Sequence, residues 1–232
     1  MAQTPTRLPS GLSTQAVGRN LGMYPNPDPT KTVTKFDDFT PYTVDNYTVT
    51  AVGTGTVAAA VGLGGRVLLT TSAGATDAET IALIAPPFNF TSLQQVWGYF
   101  RLQASDVTNP ALVVGLVAAL PGTLVITDGI YFRKNAAAVG LWDLVLAKAS
   151  VYTTLASVAT GVVATDVELG FYYNGKNSVD VFVNEIKVAS QSVITNLPTG
   201  VALTPAAGIL NSTTVANSLN LDFSLVAQDR GA

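Results

Sequence analysis

The chain of 232 residues is long enough for one large β domain plus an arm, and it contains neither cysteine nor histidine. Disulfides, thiolate metal sites, His-based catalytic triads, His metal sites and a His switch near neutral pH are therefore excluded. Charged residues make up only 12% of the chain against 48% hydrophobic, about half the charge of an ordinary soluble domain, which points to surface hidden in an assembly.

Residues 1–35 read as an extended N-terminal arm. Pro5, Pro9, Pro25, Pro27 and Pro29 punctuate them, and "YPNPDPT" suits neither helix nor central strand. Arg7, Arg19, Lys31 and Lys35 against Asp28 give the arm a net charge of +3, leaving −6 on the rest. A basic arm on an acidic body is a docking element or a flexible leader. Its expected contacts are Arg7, Leu8, Arg19, Leu21, Met23 and Tyr24. The first twenty residues have no apolar run, so they do not read as a secretory signal.

Residues 36–232 read as one all-β domain. Strand patterns are expected at Phe36–Phe39, Tyr47–Ala51, Arg66–Thr71, Glu79–Ile84, Trp97–Gln103, Ala111–Ala118, Leu124–Thr127 and Gly129–Arg133. They continue at Leu141–Ala147, Val151–Leu155, Val167–Tyr173, Val179–Val183, Ile186–Val188 and Ser218–Ala227. Such a series of short strands implies an antiparallel two-sheet jelly-roll sandwich. "SLQQVWG" at 92–98 is the one candidate helical turn. The apolar stretch 111–127 is marginally long enough for a membrane span, but Pro121-Gly122 splits it, and two buried strands explain it better. Trp97 and Trp142 sit in apolar contexts and read as core anchors.

"ELGFYYNGKNSVDVFVNEIKV", residues 168–188, fixes a register. Alternation pairs Tyr173 with Val179, Phe171 with Val181 and Leu169 with Val183, because a slip of one would set Phe171 against Asp180. Asn174–Ser178 forms the turn, and Asn184-Glu185 the next.

This segment resembles the strand pair and turn of concanavalin A-like jelly rolls. "FDDF" at 36–39 resembles their entering edge strand, and "SLNLDFSLVAQ" at 218–228 their closing strand, which in the family pairs beside the entering one. "DGIYFRKN" at 128–135 is a further point of likeness. Beyond the fold, the arm, the lectin-like body and the scarcity of chemistry resemble the decoration (cement) proteins of tailed-phage capsids. That resemblance implies a non-enzymatic virion protein on the capsid exterior, assembled in the host cytoplasm. It would bind the major capsid protein and form a homotrimer, with no cofactor, nucleic acid or membrane.

Two rival readings remain. Tyr172, Asp180, Phe182 and Asn184 share the face opposite the core and could form a glycan-binding face. Asp166 and Glu168 in "TDVELG" stand roughly 6.6 Å apart along a strand, near the spacing glycosidases use, but the third acid of an E-x-D-x-E pattern is Gly170. Asp37, Asp38 and Asp45 lack the loop of a calcium site. "GLGGR" at 62–66 lacks a Walker lysine, and "FRK" at 132–134 is too short for a nucleic-acid patch.

Overall fold

A computed structural model describes residues 30–60, 65–84 and 88–230. Among them are fifteen strands: β1 Thr32–Asp37, β2 Tyr47–Val52, β3 Thr56–Ala59, β4 Val67–Thr70, β5 Ala78–Leu83, β6 Val96–Ala104, β7 Ala111–Val117 and β8 Gly129–Lys134, then β9 Leu141–Lys148, β10 Val151–Thr160, β11 Val167–Tyr173, β12 Val179–Val183, β13 Ile186–Gln191, β14 Thr204–Leu210 and β15 Ser218–Asp229. A 3-10 turn at Val44–Asn46 is the only helical element among the described residues.

The strands form two antiparallel sheets. The eight-stranded sheet runs β13-β12-β11-β6-β15-β4-β3, with β1 also on β15, and the seven-stranded sheet runs β10-β9-β8-β7-β14-β5-β2. Twelve-residue β15 serves as the spine of the larger sheet. One of its edges holds β6; the other holds β4 along Ser218–Leu221 and β1 along Ser224–Asp229. The entering and closing strands thus lie side by side, as the resemblance implied. β1 begins at Thr32, within the stretch assigned to the arm.

The pairing of β11 with β12 is the one the alternation demands: Tyr173 opposite Val179, Phe171 opposite Val181 and Leu169 opposite Val183. The Asn174 side-chain oxygen accepts the N–H groups of Lys176, Asn177 and Ser178, closing that turn. Asn184 and Glu185 both have positive φ, the geometry of a two-residue type I′ turn.

Inward residues of both sheets make one core. Phe100, Phe171, Val181 and Leu219 come from the larger sheet; Leu112, Val114, Phe132, Trp142 and Ile209 come from the smaller. Each large side chain so buried contributes roughly 1.5–3 kcal/mol. Lys134 is also wholly buried, and its Nζ donates to the Thr108 and Pro110 carbonyls at 2.7 and 2.5 Å. This cation pins the β6–β7 connection, and burial lowers its pKa to about 8.

Three local expectations need correction. Residues 92–98 form no helical turn; a tight bend leads straight into β6 at Val96. Trp97 is on the outward face of β6, its ring tilted by 36° against that of Tyr172, whereas Trp142 is in the core. Alternation along β6 explains this, since Val96, Gly98 and Phe100 take the inward positions and Gly98 leaves room for the Phe171 ring. Finally, 124–127 is not a strand but part of a loop folded onto the smaller sheet. Within the apolar stretch 111–127, only the first half is a strand, β7. Among the described residues no helix is long and apolar enough to cross a membrane.

Candidate functional site

The outward face of the eight-stranded sheet is built in rows set by register. One row runs Lys187, Phe182, Gly170, Tyr99, Leu225, Phe36; the next runs Ser190, Asp180, Tyr172, Trp97, Ala227, Thr34. The Trp97 and Tyr172 ring centroids lie 5.4 Å apart. Tyr99 lies over Gly170 and donates its hydroxyl proton to Glu168, and burial together with that carboxylate raises the Tyr99 pKa. Lys187 reaches Asp180 at 2.8 Å, and Ser190 donates to the same carboxylate.

The register therefore brings Tyr172, Asp180, Phe182 and Asn184 onto one face. Tyr172, Asp180 and Phe182 are buried there, Phe182 completely. Asn184 is exposed at the turn, where its side-chain oxygen accepts the Glu168 N–H and its own N–H donates to the Glu168 carbonyl. The expected arm contacts Arg7, Leu8, Arg19, Leu21, Met23 and Tyr24 lie outside the described residues.

Beside these rows four charges interlock. Arg66 donates to both oxygens of Asp166 at 3.1 and 3.0 Å, and Arg101 donates to Asp166 at 2.7 Å. Both arginines also contact Asp222, at 3.5 and 3.2 Å; this residue occupies the bulge of β15. Burial pushes the Asp166 carboxyl up, but the two guanidiniums outweigh it and hold the pKa below the ordinary value. Asp166 is thus engaged as an anion by two arginines, and Glu168 is bonded to Tyr99. For Asp166 this is the opposite of the raised pKa that suits a general acid.

The centre of the seven-stranded sheet's outward face is apolar, and the chain covers that part with its own loop. Leu120, Leu124 and Ile126 settle onto Val113, Val117, Tyr131, Val145, Ala147 and Ala206, forming a second buried cluster. Gly208 makes the fit possible, since a β-carbon there would fall 2.8 Å from Leu124 Cδ2 and 3.2 Å from Leu120 Cδ2. Beyond the loop a recess remains, lined by Val125, Tyr131, Arg133, Asn135 and Tyr152. Burial pushes the Tyr131 hydroxyl up to about 12. Arg133 faces Asp143 at 3.9 Å.

Sequence reasoning missed this covering loop because it missed β14. Pro205 precedes the β5 pairing, which starts at Ala206, and Gly208 answers to Leu120 and Leu124. The small residues Ala206 and Gly208 at alternate positions were the available signal.

No family model matches this sequence, and no curated protein matches it. Solved structures do. Arcelin-5, a lectin-like defense protein from Phaseolus vulgaris, aligns at a TM-score of 0.60 with 10% identity, over 86% of this chain and all of the other. An endo-1,3-β-glucanase from Streptomyces sioyaensis aligns at 0.59 with 12% identity, over 90% of this chain and all of the other. The carbohydrate recognition domain of Emp47p aligns at 0.59 with 12% identity, over 89% and 100%. At such identities the likeness concerns the fold: this chain is an all-β, lectin-like jelly roll of the concanavalin A type. The fold is shared by sugar binders and glycan-cleaving enzymes alike, so function rests on the chain's own residues.

Proposed function

We propose that the chain is a non-enzymatic structural protein of a phage virion, one that decorates the capsid exterior by binding the major capsid protein. A single observation carries the non-enzymatic part. Asp166, Glu168, Asp180 and Asp222 on the larger sheet's outward face are each bonded to the chain's own arginine, lysine, tyrosine or serine side chains. Leu120, Leu124 and Ile126 cover the centre of the smaller sheet's outward face, and the recess left beside them is lined by Arg133 and Asn135 and, among the described residues, by no carboxylate. Hydrolysis of a glycan needs two carboxyl groups flanking an open cleft, one of them with a raised pKa. The capsid role rests on resemblance of type: a basic arm, a low-charge body and scarce chemistry. The arm contacts would be Arg7, Leu8, Arg19, Leu21, Met23 and Tyr24.

The test is composition and imaging of the native particle. The reading expects this chain in stoichiometric amounts on the particle's outer surface, and loss of attachment when residues 1–30 are deleted. That truncation leaves β1 intact. Absence from particles, together with sugar release from a polysaccharide panel, would overturn it.

A second reading, carbohydrate binding, is favoured by the recess at Tyr131, Arg133, Asn135 and Tyr152, which sets aromatic rings beside planar polar groups. A glycan array read by fluorescence separates the two. Binding lost in Tyr152→Ala would favour the sugar reading.

A further inference from the structure

Each sheet ends in strands whose outer backbone groups lack a neighbour, and folded proteins blunt such edges with charge, proline, bulges or short length. β1 carries Lys35 and Asp37; β3 has four residues; β13 carries Lys187 and faces a register shift in β12. β2 leads within three residues to β3 of the opposite sheet. β10 differs from all of these. It runs ten residues, "VYTTLASVAT", without a charge or a proline. Its irregularity lies between Leu155 and Ala159, where Ser157 has positive φ and its N–H donates to Asp143. The first half, Val151–Leu155, is left regular; Asn196 donates to the Thr153 side-chain oxygen at 3.0 Å, and among the described residues the outer backbone groups stay unpaired.

The hairpin geometry tells which groups face out. Ala149 and Ser150 both have positive φ, so a type I′ turn joins β9 to β10, and Lys148 with Val151 is the hydrogen-bonded closing pair. Alternation then makes Thr153–Leu146 and Leu155–Leu144 the next hydrogen-bonded pairs. The backbone groups of Tyr152 and Thr154 point away from β9, and among the described residues no hydrogen bond reaches them.

We propose that β10 is a self-association edge that makes a two-fold dimer, in place of the homotrimer the resemblance implied. Val151–Leu155 pairs antiparallel with the same segment of a second copy about a two-fold axis at Thr153, joining two seven-stranded sheets into one. Tyr152 then lies opposite Thr154 of the partner subunit, the two residues exchanging outward N–H and C=O groups, and the symmetry repeats the pair. Val151 lies opposite Leu155 of the partner subunit, and the two Thr153 residues face each other. Apolar with apolar, aromatic with β-branched and Thr with Thr are favourable cross-strand combinations.

A second copy is the occupant because the segment is complementary to itself: it has no charge to repel its own image, and the two-fold places outward-facing residues opposite outward-facing residues. Neighbouring apolar residues extend the contact. Val151, Ile186 and Val188 are 57, 49 and 47% exposed on β10 and β13, edge strands of the two sheets that approach each other. β10 supplies ten residues and β13 six, so an interface of standard size takes in both edges.

The test is native mass and sedimentation of the full chain at micromolar concentration. Wild type should run at twice the 24.0 kDa chain mass. Thr153→Lys sets like charges opposite each other only in the dimer. Thr154→Pro removes an outward N–H without touching the β9 ladder. Each should weaken dimerisation about tenfold or more, with the β-sheet circular dichroism retained. The chain lacks cysteine, so Thr153→Cys provides a readout even if those two variants fold poorly. It should form a disulfide-linked dimer under mild oxidation much faster than Val215→Cys, placed in an exposed loop. A monomer at tens of micromolar, a trimer, a dimer undiminished in both edge variants, or equal cross-linking of the two cysteine variants would each overturn the proposal.

Discussion

Gly170 lies directly beneath the ring of Tyr99: a β-carbon at 170 would sit 2.4 Å from Tyr99 Cδ2. The absent side chain lets the ring lie flat across β11 and brings its hydroxyl to Glu168. Gly170→Ala should therefore displace Tyr99 and break the hydroxyl contact, destabilising the protein by about 1–3 kcal/mol. Tyr99→Phe keeps the ring and loses only the hydrogen bond, so it should cost less. Urea denaturation of both variants checks the order; equal losses would show that the ring's position does not depend on Gly170.

Asp166 should be the most consequential carboxylate on the same face. Asp166→Asn leaves Arg66 and Arg101 sharing Asp222 alone. These side chains are partly solvated, so the loss is held to about 1 kcal/mol. The folded pKa of Asp166 is depressed, so its contribution is present above the unfolded value, near 3.9, and fades as pH falls through the lower folded value. Stability curves of wild type and Asp166→Asn should converge only in that acidic window. Convergence near neutrality would contradict the pairing.

The loop on the smaller sheet should behave as core. Leu124→Ser opens the cluster over Val113, Tyr131 and Val145, and a loss of about 2–4 kcal/mol is expected, with increased binding of an apolar dye. Gly208→Ala should cost less, because Leu120 and Leu124 can shift by a few tenths of an ångström. Unchanged stability in Leu124→Ser would mean that the loop rests on the sheet without holding it.

How far the sequence could be read follows from which residues speak locally. Leu169, Phe171 and Tyr173 against Val179, Val181 and Val183 leave a single consistent register, so that hairpin was legible residue by residue. Trp97 was misread because its apolar neighbours mask its outward parity; only its position between inward Val96 and Gly98 tells which way it faces. β14 and the covering loop were illegible for a different reason. Gly208 looks like a breaker until Leu120 and Leu124, more than eighty residues away in the chain, are placed above it. The interlock of Arg66, Arg101, Asp166 and Asp222 joins four distant points of the chain, and no local pattern announces it.

Glu79 is 1% exposed on the inward side of β5. Among the described residues neither carboxyl oxygen has a hydrogen-bond partner. The group is pressed into the space above Gly55: a β-carbon there would fall 2.3 Å from Glu79 Oε1 and 2.3 Å from the Thr70 carbonyl oxygen. Two acceptors converge with no donor between them, so a proton on the carboxyl is the favourable state. Burial, reinforced by the nearby charge of Asp77, raises the Glu79 pKa above its ordinary value. Below the unfolded pKa, near 4.3, both states are protonated and stability is complete. As pH rises from there towards the folded pKa, the unfolded chain releases its proton first. The folded state then binds more protons than the unfolded one, and stability falls with pH by about 1.4 kcal/mol per unit until the folded pKa is passed. Glu79→Gln keeps the shape, cannot ionise and supplies an N–H donor. It should match wild type near pH 4 and be more stable at pH 7, with a flatter profile between. Thermal unfolding of the two proteins from pH 4 to 8 decides it: parallel profiles would mean that Glu79 is charged in the folded state and has found a donor.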